Sequence, residues 1–278
     1  MRTRPFVYLL AIALGAGYLR PAGAAEDCRA TASDCVAVGR WNFSVALGAG
    51  ARTNPLAVGD TIPLVVIPQF SYYGKRFFIE DLDPGFTIAE TDRNTLSLVA
   101  SPGYDRVFFY RSDLQNIFVN GFGPSAAPVA ADAPGAVRFT SRSRRVTYLA
   151  GPEYTFTYGG VTGQLDVLHE ITGRNHGDEV RAAVGIPLLN IRGSLTANAG
   201  ITWKSAAIVN YYYGVSGVYA PGAAANPFLK LGYTLPLAGK WRLSAFVEYE
   251  RLGRAITDSP IVAEDHVATA FVGAIYTF

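Results

Sequence analysis

From residue 145 to the C-terminus the chain alternates apolar and polar residues with a period of two, the spacing that sends successive side chains to opposite faces of a β-strand. In 190 to 204, Ile191, Leu195, Ala197, Ala199, Ile201 and Trp203 share one parity, and Asn190, Arg192, Ser194, Thr196, Asn198, Thr202 and Lys204 share the other. The run 145 to 158 sets Val146, Tyr148, Ala150, Tyr154, Phe156 and Tyr158 against Arg145, Thr147, Glu153, Thr155 and Thr157. In 240 to 250, Trp241, Leu243, Ala245, Val247 and Tyr249 oppose Arg242, Ser244, Glu248 and Glu250. Segments 40 to 51, 160 to 172, 179 to 188 and 226 to 237 repeat the pattern. Strands of a soluble sandwich are usually about six residues long, whereas a strand that crosses a bilayer needs about nine to eleven. These runs have the longer format, with Trp41, Tyr148, Tyr158, Trp203, Trp241 and Tyr249 near their ends, as in the aromatic girdles of a lipid-facing band.

Turn lengths alternate in step with the strands. Working back from the C-terminus, the connections are Gly253 to Asp265 (long), Ala238–Gly239 (tight), 205 to 225 (long), Leu189–Asn190 (tight), 173 to 178 (longer), Gly159–Gly160 (tight) and 111 to 144 (very long). Outer-membrane barrels place short turns on the periplasmic side and long loops outside. Both termini on the periplasmic side require an even strand total. Before residue 110 five strands are read, at 40 to 51, 61 to 72, 75 to 80, 85 to 91 and 94 to 109. The expected fold is therefore an all-β, antiparallel, up-and-down transmembrane barrel of twelve strands, or ten if the two short ones do not form. The last strand ends Ala270, Val272, Ala274, Tyr276, Phe278 on one face, and Tyr276 with Phe278 is read as the signal for the barrel-assembly machinery.

Composition narrows the class. Of 278 residues 50% are hydrophobic and 17% charged, yet after residue 24 no run of about 18 apolar residues could form a spanning helix. The leader carries Arg2, Arg4 and Arg20, an apolar run from Phe6 to Leu19, and the small residues Ala22, Gly23, Ala24 and Ala25. That order is a secretory signal peptide over 1–24. The formal charge of +2 becomes −1 once those three arginines leave, and no basic run is long enough to track nucleic acid. Residues 25–39 are read as a periplasmic segment in which Cys28 and Cys35 close a small disulfide loop, as expected of an exported chain; the barrel occupies 40–278.

Several pieces of the chain resemble the MipA/OmpV family of outer-membrane proteins. They are Val45-Ala46-Leu47-Gly48-Ala49-Gly50, Pro63 through Tyr73-Gly74 to Phe77-Phe78, Tyr212-Tyr213-Gly214-Val215-Ser216, and Arg251-Leu252-Gly253 followed by Asp258-Ser259-Pro260. The resemblance implies an outer-membrane barrel. It also implies a scaffold joining a murein-cleaving transglycosylase to a murein-synthesising enzyme, with adhesion or permeability as the roles of other members. Asn54-Pro55-Leu56 departs from the family pattern in the first outer loop.

Candidate chemistry is sparse. His169, His176 and His266 do not have the spacing of a metal site, and no cofactor is expected. A lipid-modifying enzyme would need a serine activated by His169; no serine of matching parity presents itself, so a non-enzymatic barrel is expected. By parity the lumen receives Arg145, Glu153, Arg181, Arg192, Arg242, Glu248 and Glu250, together with Arg40, Asp166, Glu170, Glu179, Lys204 and Lys230. Selective pores concentrate one sign of charge. Balanced charges can instead pair across a narrow lumen, and a largely plugged interior is expected. A small-solute channel is the alternative. The loop 114 to 145 ends in Arg138, Arg142, Arg144 and Arg145, a candidate contact for lipopolysaccharide phosphates, and 113 to 119 is read as a helical turn.

Overall fold

The computed structural model describes residues 38–109, 144–190 and 192–278. The signal peptide, the Cys28–Cys35 loop, the helical turn at 113 to 119, Arg138 and Arg142 lie outside the described residues. Twelve strands form: β1 (Trp41–Arg52), β2 (Ile62–Tyr73), β3 (Phe77–Glu80), β4 (Asp83–Glu90), β5 (Asn94–Pro102), β6 (Tyr148–Tyr158), β7 (Val161–Glu170), β8 (Asp178–Asn190), β9 (Ser194–Lys204), β10 (Ala224–Pro236), β11 (Trp241–Arg251) and β12 (His266–Thr277). Each pairs antiparallel with its sequence neighbours, and β1 closes on β12 from Ser44 opposite Thr277 to Arg52 opposite Thr269. Twelve strands are observed rather than ten.

Burial follows parity. In β12 Val267, Phe271 and Ile275 are buried inside while Val272 is 51% exposed on the outer face, and Val247, Leu229 and Leu98 are exposed likewise. With the strands paired round a closed ring, such a surface can sit in hydrocarbon. Trp41 packs on Tyr72 at 5.1 Å and Trp241 on Tyr276 at 4.9 Å at the end that carries the short turns and the termini. Tyr249 stacks on His266 at the loop end.

Three boundaries differ from the sequence reading. The run 94 to 109 is a strand only to Pro102; the chain then enters a 3₁₀ turn, Tyr104–Phe108, that buries Val107 and Phe108. Residues 190 to 204 are not one strand, because β8 continues to Asn190 and β9 starts at Ser194. Alternation marks faces and is blind to where a chain reverses. The long connection 205 to 225 contains a helix, α1 (Ala206–Tyr213), and the connection before β12 contains a short one, α2 (Arg254–Thr257).

The β3–β4 hairpin is short. β2 meets β3 only from Ser71 to Tyr73, so among the described residues Ile62–Gln69 pairs with β1 alone. Phe70 turns both backbone groups towards Asp81: its N–H donates to the carboxylate at 2.8 Å and its C=O accepts the Asp81 N–H at 2.8 Å. Alternate residues of a strand point the same way, and the next such position is Pro68, which has no N–H to leave unpaired.

Candidate functional site: a lumen filled from within

α1 begins as β9 ends. Its sequence, Ala-Ala-Ile-Val-Asn-Tyr-Tyr-Tyr, has no charge and is apolar nearly all round, so it is stable only when enclosed. Ile208, Val209, Tyr211, Tyr212 and Tyr213 are all buried. They join one apolar core with Val107 and Phe108 of the 3₁₀ turn, Leu149 of β6, Leu168 of β7, Ile256 of α2, Val267 of β12 and Ile62 of β2. Strands from opposite sides of the barrel thus meet through these short helices, and the core crosses the lumen at the loop end.

Polar contacts pin this core to the wall. The Lys204 ammonium donates to the Asp105 carboxylate at 2.6 Å, and the Tyr213 hydroxyl donates to the other Asp105 oxygen at 2.8 Å. Lys204 and Asp105 are 7% and 5% exposed; a charge buried this far persists only when paired and hydrogen-bonded. The neighbouring tyrosines are anchored too. The Tyr212 hydroxyl lies 2.9 Å from that of Thr147, and the Tyr211 hydroxyl accepts the Arg145 N–H at 2.7 Å. Arg144 donates to the Tyr212 carbonyl at 2.6 Å and covers the Phe109 ring at 4.1 Å. Ser259 donates to the Tyr213 carbonyl at 2.6 Å.

Below the core the interior is polar. Ser97, Glu153, Asp166 and Arg181 stand in one row across β5 to β8. Arg181 donates to Glu179 at 2.6 Å and to Ser101 at 3.0 Å, and Glu153 accepts from Gln164 at 3.0 Å. Across the lumen Glu248 meets Lys230 at 3.2 Å and Glu250 accepts from Asn226 at 2.9 Å. The other residues assigned to the lumen by parity sit at its ends: Arg145 is exposed before β6, Arg192 in the β8–β9 turn and Arg242 at the mouth beside the short turns. Glu170 turns to its own hairpin instead, accepting the N–H groups of Thr172, Arg174, Asn175 and His176 at 2.7 to 3.1 Å. Phe278 donates its N–H to the Phe43 carbonyl at 2.9 Å, and its ring packs on Tyr276.

Sequence reading missed Asp105, Tyr213, Asn226 and Ser259. Asp105 fell inside an assumed strand, and a lone acid between Tyr104 and Arg106 carries no signal. His169 sits on the outer face with Nδ1 2.7 Å from Asp178, whose N–H donates to the Ser205 hydroxyl. No cluster of His, Cys, Asp or Glu suited to a metal occurs among the described residues.

A closed barrel of twelve antiparallel strands, apolar outside and filled by its own loops at one end, defines the class as a transmembrane β-barrel of the outer membrane. The chain belongs to the MipA family, described as MltA-interacting protein MipA, whose profile matches residues 45–278. Similar proteins include the MltA-interacting protein of Escherichia coli (strain K12), 25% identical over 252 residues, 87% of this chain and 93% of the relative. The putative outer membrane protein YiaT of the same strain is 25% identical over 244 residues, covering 84% of this chain and 91% of its own. Outer membrane protein Omp26La of Vibrio anguillarum is 31% identical over 107 residues, 36% of this chain and 40% of its own. Among solved structures, in-vitro folded OmpT of Vibrio cholerae in its trimer form aligns at a TM-score of 0.40 and 8% identity, over 87% of this chain and all of that one.

Proposed function

We propose that the protein is a non-conducting outer-membrane scaffold that holds a murein-processing enzyme at the periplasmic end of its barrel. The observation that supports the reading is the apolar core that α1, α2 and the 3₁₀ turn build inside the barrel at the loop end. The name of the E. coli relative supplies the partner class: it is an MltA-interacting protein. With the long loops facing outwards, the short-turn end faces the periplasm, where murein lies. Recording from refolded protein in planar bilayers tests the first half: the expected result is no discrete conductance, and stable single-channel steps of wild-type protein would establish the channel reading. Crosslinking of the full mature chain to the host's MltA homologue tests the second half.

A further inference from the structure

The two ends of the barrel differ in charge. At the short-turn end the exposed residues include Lys75 and Arg76 between β2 and β3, Arg93 between β4 and β5, Arg192 between β8 and β9, and Lys240 and Arg242 around the β10–β11 turn; Arg40 leads into β1. Against them, among the described residues of that rim, stand Glu90, Asp92 and the terminal carboxylate of Phe278. Among the described residues the loop end shows no such excess, since the exposed bases Arg145, Arg174, Arg251 and Arg254 stand against Asp60, Asp178, Asp258, Glu264 and Asp265. The basic groups come from turns around most of the circumference, and they are exposed.

Arg242 and Arg40 are turned towards the mouth, whereas Arg93 lies over the outward-facing Tyr158 ring at 5.5 Å. Arg242 pairs in register with Ile275, which is buried inside the barrel, while its neighbour Trp241 faces outwards against Tyr276. Arg242 therefore borders the lumen mouth and not the lipid flank. Arg40 has the same inward parity, one residue before the outward Trp41. Headgroup-binding residues would sit on the outer flank instead. Twelve strands spaced about 4.8 Å apart and tilted about 40° make a cylinder of roughly 12 Å radius, whose end with side chains offers roughly 800 Å², one partner's share of a standard protein interface.

We infer that the short-turn rim is an electrostatic dock for the acidic face of a folded periplasmic protein seated over the barrel mouth. The inference rests on the scaffold reading for its orientation. A ring of one sign raises the encounter rate with an oppositely charged surface, and that gain falls steeply with salt.

The test uses the full mature chain in nanodiscs, with the host's MltA homologue and poly-L-glutamate as separate probes and association followed by interferometry. For the wild type, association with poly-L-glutamate slows at least about tenfold from low to physiological salt. The charge reversal R40E/K240E/R242E slows it by a similar factor at low salt, whereas R174E/R251E/R254E at the loop end leaves it unchanged; heat-modifiable gel mobility confirms that both variants fold. Binding that ignores salt and the rim variant overturns the dock, as does equal or tighter rim-dependent binding to phosphatidylglycerol vesicles. Rim-dependent capture of poly-L-glutamate without capture of the MltA homologue removes the murein partner and leaves the dock standing. Glu26, Asp27 and Asp34 precede the rim in the same chain; a gain of about tenfold in poly-L-glutamate binding on E26Q/D27N/D34N would reassign the ring to its own N-terminal segment and overturn the partner dock.

Discussion

At the scale of single residues the protein depends on pairs that the strand pattern does not announce. Asp105 neutralises Lys204 and accepts from Tyr213, so Asp105→Asn leaves an ammonium buried without its counter-charge. That change is expected to cost about 3–5 kcal/mol, and replacing the pair with apolar residues, Asp105→Leu with Lys204→Met, to recover most of it; urea titration of the refolded barrel measures both. Burial, reinforced by the Asp105 carboxylate beside it, pushes the Tyr213 hydroxyl well above the ordinary tyrosine value. The folded state thus favours the neutral phenol. Its contribution to stability is complete below the unfolded-chain value of about 10 and is lost as pH rises beyond it. Wild type should accordingly lose stability above pH 10 more steeply than Tyr213→Phe, as measured by denaturant midpoints across alkaline pH. Parity correctly set Lys204, Glu179 and Asp166 on the inner face. It could not say that Asp105 would reach Lys204, because 99 residues separate them and only the inward fold of the 3₁₀ turn joins them.

At the scale of elements the closing seam and the short hairpin are the informative places. Gly48 of β1 stands opposite Gly273 of β12, and the Phe271 ring covers both. A side-chain carbon at Gly48 would lie 2.2 Å from the Val272 carbonyl oxygen and 2.6 Å from the Gly273 Cα. Backbone cannot yield at a seam that must close the barrel, so Gly48→Val is expected to reduce the folded, heat-modifiable fraction severely, while Ala49→Val on the lipid face leaves it near wild type. On the side of β2 that β3 does not reach, Pro68 carries no N–H, which suits it to a position without a ladder partner among the described residues. Strand existence was legible for the ten longer elements, because the period-two pattern persists wherever one face meets lipid; β3 and β4 were too short for the pattern to decide between twelve strands and ten. Strand ends were less legible. Pro102–Gly103 stops β5 and the chain reverses between Asn190 and Ser194, yet both sites keep the alternation intact. α1 escaped notice since a helix with apolar residues on nearly every side has no periodic stripe.

For the whole molecule, the barrel and its filling have different origins. Closure follows from an even number of strands in lipid, where an open edge is costly. The apolar core at the loop end follows from α1, α2 and the 3₁₀ turn packing together, and on the proposed non-conducting reading Ile208→Asp with Val209→Asp, which puts two carboxylates into that core, should make the barrel conduct in planar bilayers if it still inserts. Persistent silence of a folded variant would mean that other parts of the chain close the lumen. The sequence by itself determined the membrane, the barrel class and the two faces of nearly every strand, since these depend on local periodicity and on the solvent each face meets; it left twelve strands or ten, and the structure has twelve. The family resemblance was legible as well, in motifs scattered from Val45 to Pro260. Only the tertiary structure decided what fills the lumen, which charges pair and which end of the barrel is basic. Those properties arise from contacts between residues far apart in the chain, whose meeting is set by barrel closure and register rather than by any local pattern.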